Sequence, residues 1–364
     1  MFFNSVLNLI NIGLSFLNLK VLLIFLDLKA LDNFFLVQSI SLSISSIFIV
    51  SFETTFQNFI PKMSIKDSKI LLTKSLIFTS FFYLIFSLFN FKVFLFFPYA
   101  IFPIFLSYLY AIKKFTISNI INAFSIITTI SSIFILKPKE ITSVIFIYFF
   151  VYLIFCLFLV VLIKPSLTFK KEIIIQIKDY YKFSFLSSLT SPIYRYLDRF
   201  ILGFFGNVGD VSGFVLIKRI DNFIRQILNT PLSIAVINIS SNPNYFHEFF
   251  RKYIILSLLL FIVELVLGYF VLLIIGGKFF LKFYFSLILL SFSFLISAIF
   301  SIFILKERVL NNPKPFFIFN ISFVIFYFAL SIILFKFFGY NGIALSFLLS
   351  TIISNLIALS KRAL

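Results

Sequence analysis

Residues 183–205 read FSFLSSLTSPIYRYLDRFILGFF, and this stretch decides the fold. It is long enough to cross the hydrocarbon core of a bilayer as a helix, which takes about 20 residues. Charged residues nevertheless interrupt this stretch and the next apolar one: Arg195, Asp198, Arg199, Lys218, Arg219, Asp221 and Arg225. A Lys or Arg at the centre of a lipid-facing helix costs about 2.5 to 3.5 kcal/mol, so the five cations together would cost roughly 12 to 17 kcal/mol. We therefore expect these side chains to face a polar interior within a membrane-embedded helix bundle.

The composition of the whole chain is that of an integral membrane protein. Hydrophobic residues make up 61% of the 364 positions and charged residues only 12%, and the mean hydropathy is +1.13. Soluble domains do not have such a composition. Cys156 is the only cysteine and His247 the only histidine. The sequence therefore excludes a disulfide framework and a Cys/His metal site, and we expect no cofactor.

Apolar segments separated by polar breaks predict an all-α polytopic membrane protein with about twelve transmembrane helices. Asn90 and Lys92 are the only break between residues 71 and 112, where two helices are predicted. Residues 1–163 are predicted to form a six-helix N-terminal lobe, residues 164–182 a cytoplasmic linker, and residues 183–364 a six-helix C-terminal lobe. The predicted helices begin near Phe2, Phe34, Leu71, Val93, Ile117, Ile141, Phe183, Val211, Tyr253, Phe283, Phe316 and Gly339.

The two predicted lobes share a faint internal repeat. Residues 31–37 (LDNFFLV) follow the first predicted helix as residues 211–217 (VSGFVLI) follow the seventh. Parallel repeats of this kind occur in secondary transporters, whose substrate site lies between the two halves. We therefore expect the two lobes to be pseudo-symmetric.

Basic residues are distributed unevenly between the two sides of the membrane. Short cytoplasmic loops carry an excess of Lys and Arg, and one set of alternating loops, which includes the linker, holds most of the loop cations. The opposite set holds only Lys29, Lys92, Lys137, Lys139, Lys278, Lys282 and Lys336. This asymmetry predicts a multi-pass protein of the cytoplasmic (inner) membrane with both termini in the cytoplasm. The net charge of +18 is thus mostly a topology signal, and no segment is long enough to form a basic soluble face for nucleic acid.

A polar stripe runs along the first predicted helix. Asn4, Asn8, Asn11, Ser15 and Asn18 recur at alternating steps of four and three residues and so share one helix face. Similar stripes mark the second, seventh and eighth predicted helices. Such stripes either make hydrogen bonds between helices, worth about 0.6 kcal/mol each, or line a hydrated surface that faces a substrate.

Charges favour the hydrated surface for the seventh and eighth predicted helices. Asp198 and Asp221 can pair with two of the five cations, which leaves an expected surplus of about three positive charges. A buried positive surplus favours an anionic ligand, and the planar guanidinium fork of arginine suits phosphate. The alternative is a self-satisfied ion-pair network that holds the two helices together.

Two further acidic residues lie within apolar surroundings. Glu53 is predicted near the cytoplasmic end of the second helix. It is either an interfacial residue or a protonatable carboxylate that couples to a proton or sodium gradient. Glu264 is expected to pair with a cation of a neighbouring helix.

No catalytic motif is present in the sequence. It has no Gly-rich phosphate loop, no GxSxG and no HExxH, so we do not expect an enzyme and assign no catalytic or metal-binding residue. A membrane polymerase of lipid-linked sugars would carry a long extracytoplasmic loop with Arg and His, whereas the predicted outer loops do not exceed about ten residues.

Several short motifs resemble one family of membrane proteins. They are residues 196–203 (YLDRFILG), the turn Val208-Gly209, the dipeptide Gly213-Phe214, Pro231 late in the eighth helix, Asn320, and residues 339–344 (GYNGIA) before the last helix. The chain thereby resembles the polysaccharide (O-antigen type) flippases of the multidrug/oligosaccharidyl-lipid/polysaccharide exporter superfamily. Phe214 stands where this family more often has Tyr, and residues 31–34 (LDNF) lack the usual glycine.

This resemblance implies a two-lobed transporter that moves a polyprenyl-diphosphate-linked oligosaccharide to the outer leaflet by alternating access, for surface polysaccharide biosynthesis. Its expected partners are the anionic lipid-linked oligosaccharide, membrane lipid, and glycan polymerases or glycosyltransferases. The alternatives are a cation-coupled multidrug exporter and a non-transporting subunit of a glycan assembly system. On the flippase interpretation the substrate would contact Arg195, Arg199, Lys218, Arg219, Arg225, Asn4, Asn8, Asn11 and Asn18.

Overall fold

The computed structural model describes residues 2–88, 90–166, 168, 185, 188–241, 245–309 and 314–360. Within these ranges every regular element is a helix. The chain divides into two compact units, Met1–Tyr196 and Leu197–Leu364. The helices that begin in the N-terminal unit are α1 (Phe2–Phe25), α2 (Leu28–Phe59), α3 (Ile65–Ser87), α4 (Phe91–Leu95), α5 (Phe97–Ala111), α6 (Phe115–Leu136), α7 (Ile141–Ile163) and α8 (Ser191–Phe205).

The C-terminal unit contains the end of α8 and five further long helices. A π-helical turn (Leu272–Gly276) and a 3-10 helix (Lys278–Phe283) connect the second of these five to the third. The five helices are α9 (Asp210–Ser241), α10 (Tyr245–Val271), α11 (Tyr284–Val309), α12 (Lys314–Phe338) and α13 (Tyr340–Ser360).

Ten segments of the described chain are long and apolar enough to cross a membrane. One of them joins α4 and α5 into a single span, Phe91–Ala111. Helices α8 and α9, which carry the charged residues, are not among these ten. Counted with them, the described residues contain twelve helices that correspond to the predicted spans. The predicted fold class, an all-α polytopic membrane protein, is therefore confirmed.

Polar caps explain why some helices begin before their apolar runs. Asp27 accepts a hydrogen bond from the backbone N–H of Ala30 at 2.7 Å, and α2 accordingly begins at Leu28 rather than near Phe34. Ser64 caps α3 in the same way. Such side chains satisfy the free N–H groups of the first helical turn. The predicted linker at 164–182 lies largely outside the described residues, so the predicted lobe boundaries stay a prediction.

Asn90 separates two spans of the N-terminal unit. Its Oδ1 accepts hydrogen bonds from the backbone N–H groups of Lys92 and Val93, which starts α4 immediately after α3 has ended. Tyr83 of α3 then donates its hydroxyl to the carbonyl of Val93 at 2.6 Å and shares a short hydrogen bond with Ser41 of α2. These bonds tie the α3–α4 turn to the buried core, where α2 packs against α5 and α1 packs against α6.

Cys156 lies in the interior of the N-terminal unit. It is 5% exposed, and its thiol donates a hydrogen bond to the carbonyl of Pro98 at 3.4 Å. A buried cysteine in apolar surroundings behaves as a small hydrophobic residue, so Cys156 packs α7 against α5.

In the C-terminal unit, α13 packs against both α11 and α12, and α10 packs against α9 and α11. The buried side chains of Ile224, Leu228, Tyr253 and Phe294 form part of its core. Close packing extends to one end of the unit, where the ring of Phe283 lies against the backbone of α9 at a glycine, Gly213.

An ion pair surrounded by aromatic rings lies at the same end of this unit. The Lys282 ammonium group lies 3.1 Å from Oδ1 of Asp210, which is 2% exposed. The same ammonium group lies 4.3 Å, 4.9 Å and 5.5 Å from the ring centroids of Phe279, Phe283 and Tyr340. This end clamp joins the start of α9, the 3-10 helix and the start of α13.

Candidate functional site

The charged helices α8 and α9 are connected by a tight turn, residues 206–209. Gly209 has a φ of +90°, which residues with a side chain rarely adopt. Asp210 follows the turn, and its Oδ2 accepts a hydrogen bond from the backbone N–H of Asn207 at 2.9 Å. The turn therefore brings the charged end of α8 back towards α9 over very few residues.

One buried ion pair connects the two helices. Nζ of Lys218 on α9 lies 3.4 Å from Oδ2 of Asp198 on α8. Asp198 is 0% exposed and Lys218 is 7% exposed. Breaking a buried pair by removing one partner typically costs about 3 to 5 kcal/mol, because the other charge remains buried. This pair therefore holds α8 against α9.

A second ion pair lies within α9. Nε of Arg225 donates to both carboxylate oxygens of Asp221, at 2.9 Å and 2.8 Å. The two residues are one helical turn apart, a spacing at which side chains are neighbours. Asp221 is 2% exposed, so this pair also lies inside the unit.

Aromatic rings surround both cations. The Lys218 ammonium group lies 4.7 Å from the ring centroid of Phe347 and 5.8 Å from that of Tyr327. The Arg225 guanidinium carbon lies 5.6 Å from the centroid of Phe294 and 5.9 Å from that of Phe347. Each such contact is worth about 0.5 to 2 kcal/mol. The rings belong to α11, α12 and α13, and their part in the site was not foreseen, because 60 phenylalanines in the sequence make no single one conspicuous.

Glu264 of α10 adds a third carboxylate to this cluster. It is 0% exposed and interacts electrostatically with Arg225 and Asp221 of α9. Arg225 of α9 is the cation with which Glu264 interacts, but neither Glu264 oxygen accepts a hydrogen bond from a described residue, so the expected ion pair stays a prediction. We call the group of Asp198, Lys218, Asp221, Arg225 and Glu264 the buried charge cluster.

The structure corrects the predicted surplus of about three positive charges. That count set only Asp198 and Asp221 against the five cations. Glu264 faces Arg225, and Glu53 interacts electrostatically with Arg195. Glu53 lowers the surplus to two charges, and an ionised Glu264 would lower it to one. Lys218 and Arg225 are held by carboxylates, as the alternative ion-pair network expects.

Arg195 lies in the other compact unit, at the beginning of α8. Its side chain is exposed, and Glu53 of α2 is half-buried. At 1.5 Å per residue, Arg195 lies about 15 Å from the Phe205 end of α8. The sequence predicts that this helix leaves the membrane near Phe205, which would place Arg195 near the middle of a hydrocarbon core of about 30 Å. The role of Glu53 in coupling stays a prediction.

Arg199 and Arg219 are half-buried. Arg199 lies about 9 Å from the Phe205 end of α8 and interacts electrostatically with Lys218, a like charge. Both arginines belong to the C-terminal unit. The five predicted cations are therefore divided between the two units.

The asparagine stripe of α1 makes hydrogen bonds between helices. Asn11 Nδ2 donates to the carbonyl of Asn119 on α6 at 3.2 Å, and Asn18 Nδ2 donates to the hydroxyl of Tyr148 on α7 at 2.7 Å. These bonds agree with the alternative in which the stripe makes hydrogen bonds between helices and does not line a hydrated surface. Asn8 is exposed, and the side chain of Asn4 lies outside the described part of the chain.

Buried serines of the other stripes bond within their own helices. Ser39 donates to the carbonyl of Phe35 at 2.6 Å, and Ser188 donates to that of Phe185 at 2.8 Å. Serine hydroxyls commonly satisfy themselves in this way inside helices. Polar stripes alone therefore do not mark a hydrated surface in this protein.

Comparison with protein-family profiles and with curated proteins gives no match. Solved structures do match. A structure described as "Lipid II flippase MurJ, inward closed conformation" has a TM-score of 0.73 at 16% identity, over 100% of this chain and 88% of that chain. An inward-facing multidrug resistance MATE family transporter of the MOP superfamily has a TM-score of 0.62 at 14% identity, over 99% and 94% of the two chains. The eukaryotic MATE transporter AtDTX14 has a TM-score of 0.62 at 13% identity, over 99% and 94%. The chain therefore has the fold that these transporters share.

Proposed function

We propose that this protein is a flippase that moves a polyprenyl-diphosphate-linked oligosaccharide across the cytoplasmic membrane by alternating access. The fold agrees with such a role, and the TM-score is higher for the lipid II flippase, 0.73, than for two MATE transporters, both 0.62. The observation that carries the proposal is the exposed side chain of Arg195 near the beginning of α8, about 15 Å from the Phe205 end of that helix.

An exposed arginine at this depth needs water or a polar ligand. A lipid-facing position would cost about 2.5 to 3.5 kcal/mol. A diphosphate offers the guanidinium group two parallel charge-assisted hydrogen bonds.

The buried charge cluster divides the predicted substrate contacts into two groups. Lys218 and Arg225 hold carboxylates and lie among aromatic rings, so we assign them to the interior of the C-terminal unit. Arg195, Arg199 and Arg219 keep accessible surface and remain the proposed contacts of the diphosphate. The exposed Asn8 is the proposed neutral contact of the stripe on α1. Both termini are proposed to lie in the cytoplasm, as the loop lysines predict.

The test measures the lipid-linked oligosaccharide pool and the surface glycan of a strain that lacks the gene. We expect surface glycan to be lost and intact lipid-linked units to accumulate on the cytoplasmic leaflet. Complementation with Arg195→Ala is expected to leave transport abolished at a normal membrane level of the protein. Lys139→Ala is the matched control, because Lys139 is an exposed cation of the α6–α7 loop, and this variant is expected to restore the glycan. Normal glycan with Arg195→Ala would remove Arg195 from the site.

A multidrug exporter is the second candidate. The fold shared with a solved multidrug resistance MATE transporter favours it. Dye sensitivity is therefore scored in the same strain. Unchanged glycan with raised sensitivity to cationic dyes would support the exporter. Unchanged glycan together with unchanged dye sensitivity would contradict both transport functions.

A further inference from the structure

Glu264 holds an unusual position in the buried charge cluster. It lies near the middle of the apolar span Phe249–Gly276, and its side chain is 0% exposed. Among the described residues, neither carboxylate oxygen accepts a hydrogen bond. Ser291 of α11 lies beside it, but the hydroxyl of Ser291 donates to the carbonyl of Leu287 at 2.9 Å. Among the described residues, a carboxylate in this position would have only the Ser291 hydroxyl as a nearby donor, and that hydroxyl already donates to the carbonyl of Leu287.

Arg225 interacts electrostatically with Glu264, and it already forms an ion pair with another carboxylate. Its Nε donates to both oxygens of Asp221. Two buried carboxylates thus face one guanidinium group. Ionising both would leave a net negative charge in a low-dielectric interior, which costs several kcal/mol. One bound proton removes this charge.

We propose that Glu264 is a proton-binding site, that it holds a proton in this structure, and that it competes with Asp221 for Arg225 once the proton has left. With the proton bound, Arg225 pairs within α9. Without it, Arg225 pairs with Glu264 and joins α9 to α10. The proton thus selects between two ion pairs, one within a helix and one between helices.

In the described part of the chain, three helices carry charged or titratable groups around this site. One of these groups is Lys218 of α9, which interacts electrostatically with Asp221. Helix α10 packs against α9 and α11. Helix α9 contributes Asp221 and Arg225. Helix α11 contributes the neutral Ser291 and Tyr284. The Tyr284 hydroxyl donates to the carbonyl of Leu265 on α10 at 3.3 Å. Tyr253 lies on α10 itself, shares a hydrogen bond with Ser301 at 3.4 Å and interacts electrostatically with Arg225.

Infrared difference spectroscopy of the purified full-length protein in lipid nanodiscs tests the bound proton directly. We expect the carbonyl stretch of a protonated carboxylic acid at neutral pH and its loss in Glu264→Gln, which keeps the shape of the side chain. Glu140→Gln is the matched control, because Glu140 is exposed at the start of α7, and it should keep the band. A band that persists in Glu264→Gln, or that is absent from the unmodified protein, would overturn the proposal.

Asp221→Asn supplies a second, independent variant. Without the Asp221 carboxylate, Arg225 is available to Glu264, so Glu264 should ionise and the protonated band should disappear although Glu264 is still present. Persistence of the band at full intensity in Asp221→Asn would contradict the competition between the two carboxylates. The Asp221→Asn measurement still tests the proposal if Glu264→Gln does not fold.

The transport consequence rests on the proposed function and is measured separately. Flipping is followed in proteoliposomes with the same pH on both sides. We expect the rate of the unmodified protein to change at least tenfold across the titration of Glu264, and that of Glu264→Gln to be independent of pH over the same range. A pH profile unchanged by Glu264→Gln would refute the link to transport. Absence of all flipping would count against the proposed function. The infrared result would still show whether Glu264 holds a proton.

Discussion

The end clamp of the C-terminal unit allows a quantitative prediction. Asp210 is 2% exposed and lies 3.1 Å from the Lys282 ammonium group, whose side chain is 34% exposed. Losing one partner of a fully buried pair costs about 3 to 5 kcal/mol. Because water reaches Lys282, the expected cost of Lys282→Met falls to about 2 kcal/mol, in the range of a hydrogen bond to a charged group. Methionine keeps most of the apolar contact with the aromatic rings, so the change reports mainly on the charge.

A double-mutant cycle isolates the pair. We expect Asp210→Asn and Lys282→Met to show a coupling energy of roughly 1.5 to 2 kcal/mol in detergent-micelle unfolding. Lys278→Met is the matched control, since Lys278 is an exposed lysine of the same 3-10 helix, and it should change stability by less than about 0.5 kcal/mol. A coupling energy below about 0.5 kcal/mol would show that the clamp does not stabilise this end of the unit.

Two further substitutions test packing and a buried hydrogen bond. A Cβ atom at Gly213 would lie 2.1 Å from the ring of Phe283, which is fully buried, so Gly213→Ala is expected to destabilise the protein by about 1 to 3 kcal/mol in the same unfolding assay. Phe283→Leu in the same chain should recover part of that loss, and full stability of Gly213→Ala alone would contradict the contact. Tyr83→Phe removes the donor to the carbonyl of Val93 and is expected to cost about 1 to 3 kcal/mol. Tyr269→Phe, at an exposed tyrosine, is its control, and equal effects of the two changes would argue against the buried bond.

Much of the fold was predictable because bilayer thickness sets the length of a span. The apolar segments predicted twelve membrane helices, and the break at Asn90 was correctly interpreted as the end of one span and the start of another. Helix starts were less accurate. Caps such as Asp27 extend α2 into polar sequence that hydropathy alone assigns to a loop.

The candidate site was predictable only in part. Charges within apolar sequence predicted α8 and α9 as the helices of the candidate site, because burying a charge is costly in any fold. Their partners depend on which helices pack together, which the sequence pattern does not reveal. Counting carboxylates along α8 and α9 alone therefore overestimated the positive surplus. The aromatic surroundings of Lys218 depend on α12 and α13, far away in the sequence.

The single, buried Cys156 makes this chain a convenient background for site-specific probes. A thiol that is 5% exposed and donates to the carbonyl of Pro98 reacts slowly with maleimides and methanethiosulfonates, because these reagents need an accessible thiolate. Pairs of new cysteines, one in each compact unit, can therefore carry spin labels without prior removal of Cys156. Distances between such labels would follow the two units through a transport cycle in an otherwise unmodified protein.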